Sequence, residues 1–164
     1  MGNSLELSLH HIGYAVKTIA PPSEHYIQRF GYKPATPILH DPLQTAFVQF
    51  LSLPGDRVYL ELVAPDGPQS KLQNGVRSGG KFHHLCYATS HLEDAIEQFK
   101  VPGVVLVSGP KPAAALGGRR ICWLLDENSM LIELVERNDA TDLCAPGVIE
   151  PSDPGLASEG TAYQ

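Results

Sequence analysis

The sequence lacks the features by which membrane and nucleic-acid-binding proteins are recognised. No apolar run approaches the roughly 20 residues that cross a bilayer. Residues 1–6 carry neither the basic region nor the apolar core of a secretion signal. No basic cluster interrupts a chain whose net charge is -6, which argues against a nucleic-acid partner. We therefore expect a protein that binds neither membranes nor nucleic acids.

Cysteine is also scarce. The three cysteines, Cys86, Cys122 and Cys144, share no close spacing. An odd number of them, without a secretion signal, favours reduced thiols in a cytoplasmic protein. Apolar residues, by contrast, make up 43% of the 164 residues, which is enough for the core of one globular domain.

The chain contains one pattern written twice. Residues 10–16 (HHIGYAV) are echoed by residues 83–89 (HHLCYAT), and residues 58–63 (VYLELV) are echoed by residues 130–135 (MLIELV). Each copy thus begins with a histidine-led strand and ends with a strand that contains a glutamate. Such a repeat predicts two modules of the same fold.

Apolar periodicity and turn residues predict the order β-α-β-β-β in both modules, and hence the α+β class. The first module covers 7–65, a linker covers 66–81, and the second module covers 82–137. Residues 138–164, rich in Pro, Gly, Ser and acidic residues, are predicted to form a flexible tail. The predicted helices are 24–30, capped by Ser23 and ended by Gly31, and 92–100. The predicted strands are 7–16, 32–39, 45–53, 58–63, 82–89, 101–108, 121–125 and 130–136.

Each histidine pair offers one candidate for an inward-facing side chain, because neighbours on a strand point to opposite faces. We choose His11 and His84. On the same faces lie Gly13 and Cys86, whose small side chains leave room for a cavity. A histidine in a strand is more often an ordinary buried or surface residue, but the recurrence in both modules favours a shared site.

Glu61 and Glu133 stand within apolar strands and therefore need solvent, a partner or a metal ion. A glutamate on an antiparallel sheet usually faces solvent. Together with His11 and His84, however, the two carboxylates suit a divalent ion such as Mn, Fe, Co, Ni or Zn, with positions left for substrate oxygens.

Two further features are less specific. Cys86 has no second cysteine at metal-binding spacing, so we expect it in the wall of a cavity or in the core. The stretch 117–120 (GGRR) could bind an anion, with Arg119 and Arg120 pairing with a carboxylate or phosphate, or it could be an ordinary surface loop.

At these motifs the sequence resembles the vicinal oxygen chelate superfamily, which includes glyoxalase I, extradiol dioxygenases, antibiotic-resistance proteins and methylmalonyl-CoA epimerase. The likeness covers roughly residues 8–136. The stretches 10–16, 83–87, 117–120 and 131–136 look most like those of methylmalonyl-CoA epimerase. The resemblance implies paired βαβββ modules in a U-shaped mixed sheet around a metal ion. It also implies that the ligands are His11, Glu61, His84 and Glu133.

The chemistry implied is proton abstraction next to the carbonyl of an acyl thioester or small acid, by an isomerase or lyase. Glu133 is a candidate base. Gln44 occupies the place of a family glutamine and is a second catalytic candidate. The strand 45–53 supplies a catalytic carboxylate in some family members, but here it offers Val48 and Gln49. Gln49 and Cys86 are taken with the two arginines as candidates for substrate binding.

Three other functions compete with an epimerase. One is a lyase of the glyoxalase I type, which would share the four ligands. Another is an iron dioxygenase, which needs two histidines and one carboxylate. The last is a ligand-binding or resistance protein without a metal. The resemblance also makes a homodimer plausible.

Overall fold

The structure is a computed structural model that describes residues 5–148 of the chain. Nine strands and two α-helices follow one another along these residues, with a 3-10 helix at Gln73–Val76 between the two halves. The first half contains β1 (Leu7–Ala15), α1 (Ala20–Phe30), β2 (Lys33–Pro34), β3 (Leu39–Asp41), β4 (Ala46–Ser52) and β5 (Tyr59–Pro65). The second half contains β6 (Lys81–Thr89), α2 (Leu92–Phe99), β7 (Val105–Pro112), β8 (Arg120–Leu125) and β9 (Leu131–Glu136).

All nine strands form one mixed sheet. Its order is β2-β4-β5-β1-β6-β9-β8-β7, and β3 pairs with β4 beside β2. In each half the first strand lies parallel to the last, β1 to β5 and β6 to β9. The halves are joined by antiparallel pairing of β1 with β6. The predicted α+β class, with paired halves in one mixed sheet, is therefore confirmed, and the four strands β5, β1, β6 and β9 occupy the middle of the sheet.

The two faces of the sheet bury different groups. On one face, Tyr26 of α1 packs against Leu51 and Leu62, while Leu92 and Ile96 of α2 pack in a separate cluster with strands β8 and β9. The opposite face carries the largest core cluster. Its buried members include Ala15, Val48, Phe50, Val63, Cys86, Ile121, Val135 and Cys144. Because side chains alternate along a strand, Glu61 and Glu133 lie on this second face.

Two element boundaries differ from the prediction for reasons that involve proline. Helix α1 begins at Ala20, before Ser23, because the two prolines occupy its first turn, where their missing N–H groups are no loss. Strand β7 begins at Val105 rather than 101 and includes Pro112. A proline is tolerated there because β7 is an edge strand with irregular pairing.

The predicted strand 32–39 is two short strands, and the second of them extends to Asp41. The predicted flexible tail also differs in its first part. Residues 138–148 pack against the body of the protein, where Cys144 is fully buried and residue 147 forms a bridge with Leu116. The rest of that tail, 149–164, lies outside the described residues. Within 5–148, no helix is both long and apolar enough to cross a membrane.

Candidate metal centre

Two imidazole and two carboxylate side chains converge on the face of the central strands that is not covered by helices. They are His11 on β1, Glu61 on β5, His84 on β6 and Glu133 on β9. One atom of each lies within 4.8 Å of the corresponding atoms of the other three. All four residues are buried. The structure thus brings together the four side chains proposed from the sequence as metal ligands.

The strand register explains this convergence. Gly13 on β1 is paired with both Glu61 on β5 and His84 on β6. Cys86 on β6 is paired with both His11 on β1 and Glu133 on β9. Each half therefore contributes one histidine and one glutamate in the same relative places, and two residues with small side chains occupy the positions between them.

The distances within the cluster fit a single cation. His11 Nε2 and His84 Nε2 lie 2.9 Å apart. Each of these nitrogens is 3.1–3.3 Å from the Oε2 atoms of Glu61 and Glu133. Ligand atoms bound about 2.1 Å from a common ion are separated by such distances. Two nitrogens and two carboxylate oxygens are also a donor set that divalent transition metals accept.

The charges in the cluster also favour a cation-binding site. Burial raises the pKa of the Glu61 carboxyl, but the imidazoles of His11 and His84 outweigh it and hold that pKa well below its usual range. The pKa of Glu133 is lowered by the same two rings against the effect of burial. Glu61 Oε2 is buried and accepts no hydrogen bond. Two buried carboxylates need compensating positive charge, and a divalent cation held between them would supply it.

Strand alternation alone does not describe the histidine pairs. The pairing of β1 with β6 skips His10 between Leu9 and His11, and it skips His83 between Phe82 and His84. Each skipped residue is a β-bulge, which changes the direction of the side chains around it. As a result both rings of a pair lie on the site face, and the expectation that only one could turn inward was wrong.

In both pairs the first ring is hydrogen-bonded to the second. His10 Nδ1 lies 2.7 Å from His11 Nδ1, and His83 Nδ1 lies 2.8 Å from His84 Nδ1. If the Nε2 atoms of His11 and His84 offer lone pairs to a cation, their Nδ1 atoms carry the protons and donate them to the first rings. Such contacts fix the tautomer and orientation of metal-binding histidines.

His10 continues this chain of hydrogen bonds beyond the ring pair. Its Nε2 atom donates to the carbonyl oxygen of Cys144 at 2.8 Å. Burial and the neighbouring His11 lower the pKa of His10 to about 4, so the ring is neutral near pH 7. The backbone of the 138–148 segment therefore determines which nitrogen of His10 carries the proton, and through it the tautomer of His11.

Gly13 is required by the position of His84. A Cβ atom built on Gly13 would lie 2.1 Å from Cε1 of the His84 ring and 2.2 Å from its Nδ1. Distances below 3.0 Å do not occur between such atoms, so any side chain at this position displaces the imidazole. The small residue expected at position 13 thus makes room for a ligand side chain rather than for substrate.

A cavity of about 470 Å³ opens beside the four-residue cluster. Glu61, His84 and Glu133 lie in its wall, as does Trp123, whose ring centre is 4.7 Å from that of His84. Trp123 Nε1 donates a hydrogen bond to Gln44 Oε1 at 3.2 Å. Other polar residues of the wall are Asp41, Lys71, His83, Ser108 and Lys111. The cluster is thereby accessible to a small molecule.

The other residues proposed from the sequence lie in different places. Gln44 lines the cavity. Cys86 is fully buried beside His11, and burial raises the pKa of its thiol well above its usual range. Gln49 is buried with its amide donating to the Thr36 carbonyl, and it does not line the cavity.

The two arginines are held by carboxylates outside the cavity wall. Arg119 forms two hydrogen bonds with Asp142, at 2.7 and 2.9 Å. Arg120 is paired with Glu93 and Glu136. Neither arginine lines the cavity, so the structure gives their proposed role in substrate binding no support.

Several residues of the cavity wall were not identified from the sequence. Asp41, Lys71 and Lys111 lie on the short strand β3, in the linker and on the edge strand β7, where no periodic pattern marks the facing direction. Trp123 is the only tryptophan in the chain, and its place as the fourth residue of β8 could have suggested an inward side chain. The sequence does not predict His10 and His83 as site residues, because a β-bulge leaves no sequence signal.

Comparison with known proteins gives a consistent set of relatives. Residues 10–123 match the family model described as the Glyoxalase/Bleomycin resistance protein/Dioxygenase superfamily. The ethylmalonyl-CoA/methylmalonyl-CoA epimerase of Cereibacter sphaeroides is 25% identical over 130 residues, which are 77% of this chain and 95% of the relative.

Several solved structures superpose on the chain. Methylmalonyl-CoA epimerase from Mycobacterium tuberculosis matches with a TM-score of 0.69 and 25% identity, over 83% of this chain and 92% of that one. A hypothetical protein from Bacillus halodurans matches with a TM-score of 0.69 and 26% identity, over 82% and 96%. The methylmalonyl-CoA epimerase of Streptomyces coelicolor, in complex with 2-nitronate-propionyl-CoA, matches in fold with a TM-score of 0.66 and 23% identity, over 83% and 100%.

Proposed function

The chain belongs to the glyoxalase/bleomycin resistance protein/dioxygenase superfamily, and from this premise we propose that it is a divalent-metal-dependent epimerase of acyl-CoA thioesters. The observation that carries the proposal is the cluster of His11, Glu61, His84 and Glu133 beside a cavity. Support comes from relatives at about 25% identity that are methylmalonyl-CoA epimerases. The reaction would move a proton on the carbon next to the thioester carbonyl.

In this proposal the four clustered side chains hold the cation, with Co, Mn, Ni, Zn or Fe as candidates. Such an ion acts as a Lewis acid that polarises a bound carbonyl oxygen. We propose Glu133 as the base on the strength of the family resemblance; like Glu61, it lies in the cavity wall, and the imidazoles of His11 and His84 hold its pKa below its usual range. A carboxylate within reach of the acidified carbon is what proton abstraction needs.

The cavity wall offers two neutral donors to a ligand, and His83, next to His84, is the one that we assign to the charge that develops on the substrate oxygen. Gln44 Nε2 is buried without a hydrogen-bond acceptor among the described residues, so it is available to a ligand. His83 lines the cavity, and burial together with His84 lowers its pKa to about 4, so its ring is neutral. With Nδ1 engaged by His84, its Nε2 atom is left to donate. Fixed donors of this kind stabilise an enolate in a site that excludes water.

Besides the two glutamates of the metal cluster, the cavity wall formed by residues 5–148 contains one carboxylate that could act as a second base. Asp41 lines the cavity, but its two oxygens accept the backbone N–H groups of Gln44 and Ala114 at 3.2 and 3.1 Å. Both oxygens of Asp41 are thus engaged by the backbone. Proton delivery to the opposite face of the substrate therefore falls to water or to His83 rather than to Asp41.

The decisive experiment is exchange of solvent deuterium into methylmalonyl-CoA by the metal-loaded protein, followed by mass spectrometry. We expect one deuterium at the carbon next to the carbonyl, and a loss of at least about 100-fold in rate for Glu133→Gln. If exchange is absent but the hemithioacetal of methylglyoxal and glutathione is turned over, the protein is a lyase instead. A purified protein that neither contains nor responds to divalent ions would contradict both and favour a metal-free binding protein.

A further inference from the structure

Away from the metal centre, the cavity wall carries two cations without a carboxylate partner. Lys71 and Lys111 both line the cavity, and neither forms an ion pair among residues 5–148. They are near enough to influence each other, since burial and then the charge of Lys71 lower the pKa of Lys111. In a chain with a net charge of -6, two such lysines facing one cavity are not explained by surface composition.

A third donor without an acceptor lies in the same wall. Gln44 Nε2 is buried and unpaired, while its Oε1 atom is held by Trp123. The amide cannot simply be turned around, because Oε1 must accept the indole N–H and Nε2 is then directed away from it. A buried donor of this kind costs free energy unless a ligand accepts from it.

The backbone around these donors is held in place. The hydroxyl of Ser70, which is buried, donates to the carbonyl oxygen of Thr45 at 2.6 Å. The N–H of Lys71 donates to Thr45 Oγ1 at 3.1 Å, and Thr45 itself adopts a left-handed φ of 54°. The backbone of the linker residue Lys71 is thereby held against Thr45, the residue that follows Gln44.

We propose that Lys71, Lys111 and the Gln44 amide form a subsite for an anionic group of the substrate, separate from the metal centre. The group is either a phosphate of the coenzyme A carrier or a carboxylate of the acyl group, and both would accept from the same three donors. The inference rests on the proposed function for the identity of the substrate. It gives the anion-binding role expected of Arg119 and Arg120 to two lysines, because the arginines are already paired with carboxylates.

Asp41 limits the charge of this subsite. Its carboxylate partly offsets Lys111, for which it raises the pKa, but its oxygens are engaged by backbone N–H groups. One positive charge and one unpaired amide donor thus remain for the ligand. This favours a single anionic group over a highly charged one.

The test uses the only tryptophan as a reporter, because Trp123 contacts both Gln44 and His84. Coenzyme A, pantetheine and methylmalonate are titrated separately into the metal-loaded protein while the fluorescence is followed. The variant is Lys71→Gln/Lys111→Gln, and the matched control is Lys33→Gln, an exposed lysine on β2 outside the cavity.

If the anion is a phosphate, the double variant binds coenzyme A at least tenfold more weakly, while pantetheine binding is unchanged. If it is the acyl carboxylate, methylmalonate is the ligand that loses affinity. In either case, 0.5 M salt should weaken binding to the wild type much more than binding to the double variant. Equal affinities of wild type and double variant for both anions would overturn the proposal.

Two further measurements test the subsite independently of the proposed epimerase reaction. The thermal stability of Lys111→Gln without ligand should equal or exceed that of the wild type, because the repulsion from Lys71 is removed. A large loss of stability instead would assign Lys111 a structural role and contradict the subsite. Binding of coenzyme A that depends on the lysines, without deuterium exchange, would refute the epimerase activity but support the subsite. Deuterium exchange that is unchanged in the double lysine variant would support the epimerase activity but refute the subsite.

Discussion

His10 has no proposed contact with the metal ion, but it orients a side chain that does. It accepts from the Nδ1 of His11 and donates to the carbonyl of Cys144, so it completes a chain of hydrogen bonds that ends at a candidate ligand. Neither bond can be replaced by water, because His10 is 4% exposed. Its role is positioning, and it can be tested through metal affinity rather than turnover.

We expect His10→Leu to bind Zn²⁺ or Co²⁺ roughly 10–100-fold more weakly, which is the usual effect of losing a group that orients a ligand histidine. His10→Gln should recover part of the loss, because an amide can accept from His11 and donate to Cys144 at the same time. Competition with a coloured chelator measures the affinities. Equal affinities for the leucine variant and the wild type would refute the positioning role.

Gly13→Ala tests whether position 13 must lack a side chain. The new methyl carbon would lie 2.1 Å from the His84 ring, so the imidazole must leave its place. We expect metal affinity to fall by about 100-fold, with the fluorescence of Trp123 changed because its ring contacts His84. The control is Gly75→Ala, where the added carbon would meet Lys81 Cε at 3.6 Å, an ordinary contact. A Gly13→Ala protein with unchanged affinity would show that His84 is not a ligand.

At the level of elements, the regular parts of the sheet could be predicted and its irregular parts could not. The pattern of apolar residues predicts the bounds of six strands to within two residues of those observed, namely β1, β4, β5, β6, β8 and β9. Strand β7 was displaced by four residues, because its irregular pairing with β8 breaks the alternation. The two β-bulges could not be predicted either, because a residue skipped by the partner strand looks like any other residue in the sequence.

The candidate site was predictable because the repeat marks it twice. His11 and Glu61 were chosen on the strength of their counterparts His84 and Glu133, and the structure brings all four within 4.8 Å. The cavity beyond them has no such internal copy. Lys71 belongs to the linker, and the strand that carries Lys111 is irregular, so only the folded chain places them together.

The segment 138–148 can be tested as an element. It contributes the fully buried Cys144, the carbonyl that holds His10, and Asp142, which binds Arg119. A chain ended at residue 137 loses these contacts, and we expect its free energy of unfolding in urea to fall by roughly 3 kcal/mol or more, at about 1 kcal/mol per hydrogen bond. A chain ended at residue 148 keeps every described contact and is the matched control. If both chains unfold alike, the segment does not stabilise the fold.

For the molecule as a whole, the candidate ion would join two halves that otherwise meet along β1 and β6. Each half supplies one histidine and one glutamate, so a bound cation would resist separation of the halves. A ligand that binds only the folded state stabilises it by about 2.7 kcal/mol when present at 100 times its dissociation constant. For a chain of 164 residues this raises Tm by roughly 5–10 °C.

Scanning calorimetry with Co²⁺, Mn²⁺, Ni²⁺ or Zn²⁺, and again after a chelator is added, measures this shift. The variant His84→Ala, which removes one proposed ligand, should show a much smaller change of Tm with the same ions, measured against its own Tm without ions. A wild-type Tm that is unaffected by any divalent ion would argue against a metal centre at this position.

The two β-bulges have a bearing on the history of the chain. A one-residue insertion lies at the same place in both halves, directly before the histidine that turns into the site. A shared irregularity of this kind is simplest to explain if it was already present in a half-length ancestor, before duplication and fusion. Two copies of that ancestor, paired edge to edge along their first strands, would have brought two histidines and two glutamates together. The site would then be older than the single chain that now contains it.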